Sequence, residues 1–132
     1  MSESFNIDIV NPEKSFLSKD NVLEVILPAF EGEIGILKDH IPLISFLKPG
    51  ILKVITSNEE ENYYIEDGIV EFKDNSLSVL TSSIFNIKDS DKNYIGNSIS
   101  EAEKELSKKE IDDQKRFLLN HKVEVLKSIG TN

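Results

Sequence analysis

Short apolar runs that alternate with polar residues at period two fill the first two thirds of the chain and then stop. Phe5, Ile7 and Ile9 alternate with Asn6 and Asp8; Leu23, Val25 and Leu27 flank Glu24; Tyr64 with its neighbours, and Leu77 and Val79 around Ser78, repeat the pattern. A period of two sends successive side chains to opposite faces, so each run predicts a half-buried strand. Between the runs lie Asn11-Pro12, Ser18 to Asn21, Gly32, Gly35, Pro49-Gly50, Ser57 to Asn62, Asp67-Gly68 and Lys73 to Ser76. Turn residues at this density, with strands recurring every ~8–12 residues or less, predict an antiparallel β-sandwich of about eight to ten short strands over residues 1–88.

Beyond Ile87 the period changes. The stretch KDSDKNYIGNS reads as a polar linker, and Ser98 with Glu101, or Ser100 with Glu103, offers a capping box for a helix over about residues 98–109. Ile99, Ala102 and Leu106 give that helix a narrow apolar stripe, and Glu105 can pair with Lys109 at i,i+4. Asp112 or Asp113 can cap a second helix, DQKRFLLNHKVEVLKSI, with Gly130 placed to stop it at C′. The two should fold back as an αα-hairpin, residues 89–132, giving an α+β chain that is mainly β. On the second helix Leu118, Leu119, Val123, Val125, Leu126 and Ile129 cover an arc of roughly 160°, more than the first helix can bury. The surplus must meet either the sandwich or another chain.

Composition narrows the function classes. A chain of 132 residues supports one well-buried core with a small appendage. Its net charge of −9 offers no broad positive field for nucleic acid, and the acidity is uneven: residues 1–88 carry 7 Lys/Arg against 15 Asp/Glu, residues 89–132 carry 8 against 9. Without cysteine there is no disulfide framework and no thiolate metal site. The opening MSESFNID lacks a basic stretch followed by an apolar one, and no apolar run approaches the ~18 residues of a spanning helix, so membrane association is expected only through a partner. His40 and His121, far apart in sequence, do not make a metal site, and there is no nucleophile elbow, Walker-A loop or G-x-G-x-x-G. No catalytic residue, cofactor or metal is expected.

The run PAFEGEIGILKDHIPLISFLKPGILKV closely resembles the signature of the epsilon subunit of F-type ATP synthases, in which an E-G-(D/E)-(L/F)-G-(I/V) turn leads through G-H-A-P-L-L to a K-P-G strand start. FNIDIVNPEKSFLS, DNVLEVILP and YYIEDGIVEFKDNSLSVLT are similar to the family's neighbouring segments in order and spacing, so the resemblance covers nearly all of residues 5–82. Three positions depart: Lys38-Asp39 stand where the family has Pro-Gly, and Ile41 where it has alanine. Aspartate tolerates the left-handed backbone that glycine would supply.

The resemblance implies a non-catalytic subunit of the central rotor, at the cytoplasmic face of the bacterial inner membrane, that joins the gamma subunit to the c-ring and the alpha/beta catalytic head. Position by position, it places Glu31 and Glu33 at the c-ring and His40, Pro42 and Leu43 at gamma. Ile34, Ile36 and Leu37 join Pro42 and Leu43 as apolar anchors. It further implies that the C-terminal helices can reach the head and slow ATP hydrolysis, with Lys115, Arg116, Lys122 and Lys127 as the basic face. Some family members bind ATP on the hairpin through several arginines; Arg116 is the sole arginine here, so ATP binding is not expected. The alternative is a free-standing β-sandwich adaptor that binds another protein through its helical hairpin.

Overall fold

A computed structural model describes residues 4–13 and 15–130. Nine strands come first: β1 (Phe5–Val10), β2 (Ser15–Ala29), β3 (Gly32–Leu37), β4 (Leu43–Leu47), β5 (Gly50–Thr56), β6 (Glu60–Ile65), β7 (Gly68–Lys73), β8 (Ser76–Leu80) and β9 (Ile84–Asn86). A single 3₁₀ turn, Ile87–Asp89, leads to α1 (Lys92–Leu106) and α2 (Asp113–Gly130). One layer runs from the first half of β2 through β1, β8 and β7 to β4; the other runs β3, second half of β2, β5, β6, β9. Every pairing is antiparallel except β1 with β8, strands far enough apart in sequence for a parallel match. The α+β architecture, mainly β and ending in a helix pair, is the one the sequence predicts.

Two strand expectations need correction. Ser18 to Asn21 do not reverse the chain; they lie inside β2, which serves both layers. Phe5 faces Val22 while Ile7 faces Lys19, so β2 carries one extra residue there, a bulge that bends the strand from one layer into the other. On the β5 side the register slips again between Val22 and Glu24, which puts Val22 in the core and leaves Leu23 half-buried. Gly35 likewise lies within β3, opposite Ile26, and is no turn.

The sandwich core is the inner face of each period-two run: Phe5, Ile7 and Ile9; Val25 and Leu27; Leu52 and Val54; Val70 and Phe72; Leu77 and Val79. Each such side chain contributes ~1.5–3 kcal/mol relative to exposure. Pro49-Gly50 opens β5 where the chains crowd: a Cβ on Gly50 would fall 2.5 Å from the Pro28 ring, so only glycine fits.

A second apolar cluster lies on the other side of β5 and β6. Tyr64, Ile95, Leu126 and Ile129 are buried together, with Ile51, Phe85, Ile87, Ile99 and Val125 around them. β6 is thus covered on both faces, with Tyr63 and Ile65 in the sandwich and Tyr64 beneath the hairpin. The Tyr64 ring stacks on Phe85 at 5.2 Å, and burial holds its hydroxyl above the usual tyrosine range.

The hairpin differs from its sequence reading in three places. α1 starts at Lys92, well inside the expected linker, because Asp91 accepts from the Asn93 amide (2.8 Å) and Ile95 is buried one turn later; Ser98 and Ser100 are interior positions. Glu105 pairs with Lys108 (2.8 Å) and Lys115 (3.3 Å) in place of Lys109, which lowers its carboxyl below the usual range. Gly130 remains helical instead of terminating α2 at C′. Asp112 does cap α2, accepting from the Gln114 amide (2.9 Å).

Candidate functional site

The β2–β3 turn, Phe30-Glu31, forms one end of the sandwich. Ala29 pairs with Gly32, whose φ of +129° lies in a region that side chains with a Cβ rarely adopt, so the glycine lets a two-residue turn close. The Phe30 amide donates to Phe46 O (3.1 Å) and the Lys48 amide to Pro28 O (3.0 Å), which anchors the turn on β4. Glu31 and Glu33 are both exposed here but are held differently. Glu31 accepts from the buried Ser45 hydroxyl (3.0 Å), whereas Glu33 stands outward opposite Pro28.

The β3–β4 connection forms the opposite end, ~20 Å away along β3 at about 3.3 Å per residue. The His40 amide donates to Leu37 O (3.1 Å), Lys38 keeps a negative φ and Asp39 takes φ +66°. That combination is a type II turn, which explains why proline and glycine suit the two central positions in the family. The His40 ring stands edge-on to Phe72 at 6.0 Å, and its Nδ1 lies 2.7 Å from Ile41 O. A carbonyl only accepts, so Nδ1 is the donor in this contact. Ile36 is buried, and Ile34 and Leu43 pack against the core; Leu37, Ile41 and Pro42 face solvent. The acidic pair and the histidine segment therefore occupy opposite ends of the sandwich.

Between the two ends runs a feature that the sequence reading missed. In β4 the polar Ser45 points inward with Leu43 and Leu47, while Ile44 and Phe46 point outward, 69% and 59% exposed. Phe46 pairs with Ile69 and Ile69 with Leu80, themselves 43% and 48% exposed, giving an apolar row across three strands. The available signal was LISFL itself, a strand apolar on both faces with its one polar residue on the inner face. The row continues into a groove bordered by Phe30, Pro49, Leu118 and Leu119. Here the surplus arc of α2 divides: Leu126 and Ile129 are buried on the protein's own sheet, while Leu118 and Leu119 line the open groove and Phe117 is exposed.

The four basic residues singled out on α2 all have partners within the chain. Lys122 meets Glu66 (3.0 Å), Lys127 meets Glu103 (3.4 Å), Lys115 meets Glu105, and Arg116 Nη1 donates to Leu106 O (3.3 Å). Lys48 lies 5.8 Å from the Phe117 ring centre, a further tie between sandwich and hairpin. Among the described residues no helix is long and apolar enough to cross a membrane.

Residues 4–87 match the family described as ATP synthase, Delta/Epsilon chain, beta-sandwich domain. The chain is 62% identical over 130 residues to the ATP synthase epsilon chain of Pelagibacter ubique, covering 98% of this chain and 100% of that one. It is 30% identical to the epsilon chain of Rhizobium meliloti, over 98% and 96% of the two chains. Among solved structures, a chain of the Euglena gracilis mitochondrial ATP synthase shares the fold with a TM-score of 0.77 at 19% identity, covering 99% of this chain and 82% of that one. A chain from the central stalk and c-ring of the Tetrahymena thermophila enzyme does so at 0.68 and 16%, covering 95% of each. With the sandwich signature, the nine-strand fold and these full-length similarities together, the chain belongs to the ATP synthase epsilon-chain family.

Proposed function

We propose that this chain is a non-catalytic rotor subunit that couples gamma and the alpha/beta head to the c-ring, with the sandwich (residues 1–88) as the coupling module and the hairpin (residues 89–132) as a regulatory one. The observation that carries the reading is the outward apolar row Ile44, Phe46, Ile69 and Leu80. Large side chains held in water on a rigid sheet are the usual centre of a protein interface. The row continues from the exposed Pro42, whereas Leu43 packs inward on the core, so a gamma subunit seated at His40 and Pro42 would extend along it. At the other end Glu33 would meet polar or basic loops of the ring, with Glu31 beside it. The similarity in fold to a chain of a central stalk and c-ring assembly fits a place in such a stalk.

The basic residues of α2 support a switchable hairpin. Lys115, Arg116, Lys122 and Lys127 are satisfied while the hairpin is folded, and release from the sandwich would free Lys122 for acidic loops of the head. The subunit then belongs at the cytoplasmic face of the membrane, held there by the ring.

Glu33→Lys tests the ring contact. The substitution is expected to loosen the head from membranes and lower proton-coupled ATP synthesis, while the purified subunit still co-isolates with gamma. Unchanged head retention and synthesis would overturn the ring assignment, and failure to co-isolate the unaltered chain with gamma would overturn the whole reading.

A further inference from the structure

The β3–β4 turn is held by a clasp that the proposed function leaves unexplained. The Asp39 amide donates to Asn75 Oδ1 (2.7 Å), and Asn75 Nδ2 donates back to Asp39 Oδ1 (2.9 Å). Both residues have left-handed backbone, φ +66° and +58°. Asn75 belongs to the two-residue β7–β8 turn, where Asp74 also has positive φ (+52°) and Lys73 pairs with Ser76, a type I′ hairpin. A turn in the β3–β4 connection and the turn of the β7–β8 hairpin thus lock together through a reciprocal pair of hydrogen bonds.

What the clasp holds up is apolar. Leu37 and Ile41 flank the turn, and Ile41 is 73% exposed, the most exposed of the large hydrophobic side chains named here. Nothing within the fold is gained by keeping these side chains in water. A type II turn with proline and glycine at its centre is stiff without help, because proline fixes φ at the first position and glycine takes positive φ at the second without strain. With Lys38-Asp39 in those places the turn has neither property. We infer that Asn75 is a positioning residue for partner binding: by clasping Asp39 it supplies the stiffness that Pro-Gly would give, and so pre-organises the Leu37 to Pro42 ridge for gamma. This rests on the reading of that segment as the gamma contact.

The test uses the full chain and a gamma-containing catalytic head stripped of this subunit. Asn75→Gly removes both hydrogen bonds while keeping a residue suited to φ +58°, so the β7–β8 turn survives. It should bind the head about three- to tenfold more weakly, the order expected when a few side chains must be ordered on binding. Its melting temperature should stay close to that of the unaltered chain, and amide exchange should speed up at Asp39 and His40. Adding Lys38→Pro and Asp39→Gly to Asn75→Gly should restore binding, which a merely structural role for Asn75 would not predict. Ile41→Asp serves as the control on the interface itself. If Ile41→Asp leaves binding intact, the gamma contact at this segment is wrong and the inference fails with it. If Ile41→Asp weakens binding but Asn75→Gly does not, or if the Pro-Gly replacement restores nothing, the contact stands and the positioning role is overturned.

Discussion

Glu31 and Glu33 lie two residues apart in one hairpin and meet different surroundings. Ser45 is buried and its hydroxyl reaches Glu31, so Ser45→Ala removes a hydrogen bond to a charged group and should destabilise the purified chain by ~1.5 kcal/mol. Glu33→Lys, on an exposed side chain, should change stability by less than ~0.5 kcal/mol. Urea unfolding of the two variants checks the contrast, and equal losses would mean that Glu33 is held by the fold after all. The tight acidic turn was legible in Gly32 beside Glu31 and Glu33, and the left-handed Asp39 is a conformation that aspartate tolerates. Ser45 and Asn75 were not legible. Their partners stand 14 and 36 residues away, and a hydrogen bond across such a gap leaves no periodic trace in the sequence.

Strand β2 shows why elements were easier to find than to delimit. Polar residues at Ser18 to Asn21 look like a turn, yet the bulge there leaves an extra residue in the strand and Lys19 reaches across to Glu59 (3.0 Å) and Glu61 (2.8 Å). The Lys19 hydrogen bond holds the Glu61 carboxyl below its usual range, and the two glutamates hold the Lys19 ammonium above its own. A lowered carboxyl adds stability that is present above the unfolded-state value, near 4.3 for glutamate, and is lost as pH falls through the folded value. The raised lysine adds stability that is present below the ordinary lysine range and is lost only in strong alkali. Lys19→Met should therefore cost ~1 kcal/mol at pH 7 for these partly exposed groups, and the gap from the unaltered chain should narrow as pH drops below about 4. A gap of equal size at pH 3 and pH 7 would exclude the ion pair as its source. The same lesson holds for α1, whose first turn is polar but for Tyr94 and Ile95: the Asp91 cap and the buried Ile95 start it earlier than periodicity alone indicates.

At the scale of the molecule, two apolar clusters share β6, one inside the sandwich and one beneath the hairpin. The ties between hairpin and sandwich are unequal. In the first turns of α2 and at its middle they are Lys48 over Phe117 and Lys122 with Glu66; toward its end Leu126 and Ile129 are buried beside Tyr64. A partly exposed ion pair such as Lys122 with Glu66 contributes about 1 kcal/mol and weakens with salt, whereas truncating a buried leucine costs ~2–5 kcal/mol, so the apolar end governs docking. Leu126→Ala should then loosen the hairpin selectively, with faster amide exchange along α2 and little change in the sandwich strands. Leu52→Ala, by contrast, should lower the melting temperature of the sandwich itself. In the assembled enzyme, a hairpin freed by Leu126→Ala should shift the rate of ATP hydrolysis while the subunit stays bound, since neither Glu33 nor the Leu37 to Pro42 segment is altered. High salt alone should reproduce little of that shift. If Leu126→Ala sped exchange in β1, β7 and β8 as much as in α2, the two clusters would be one cooperative unit; if it freed α2 yet left hydrolysis unchanged, the hairpin would have no regulatory part.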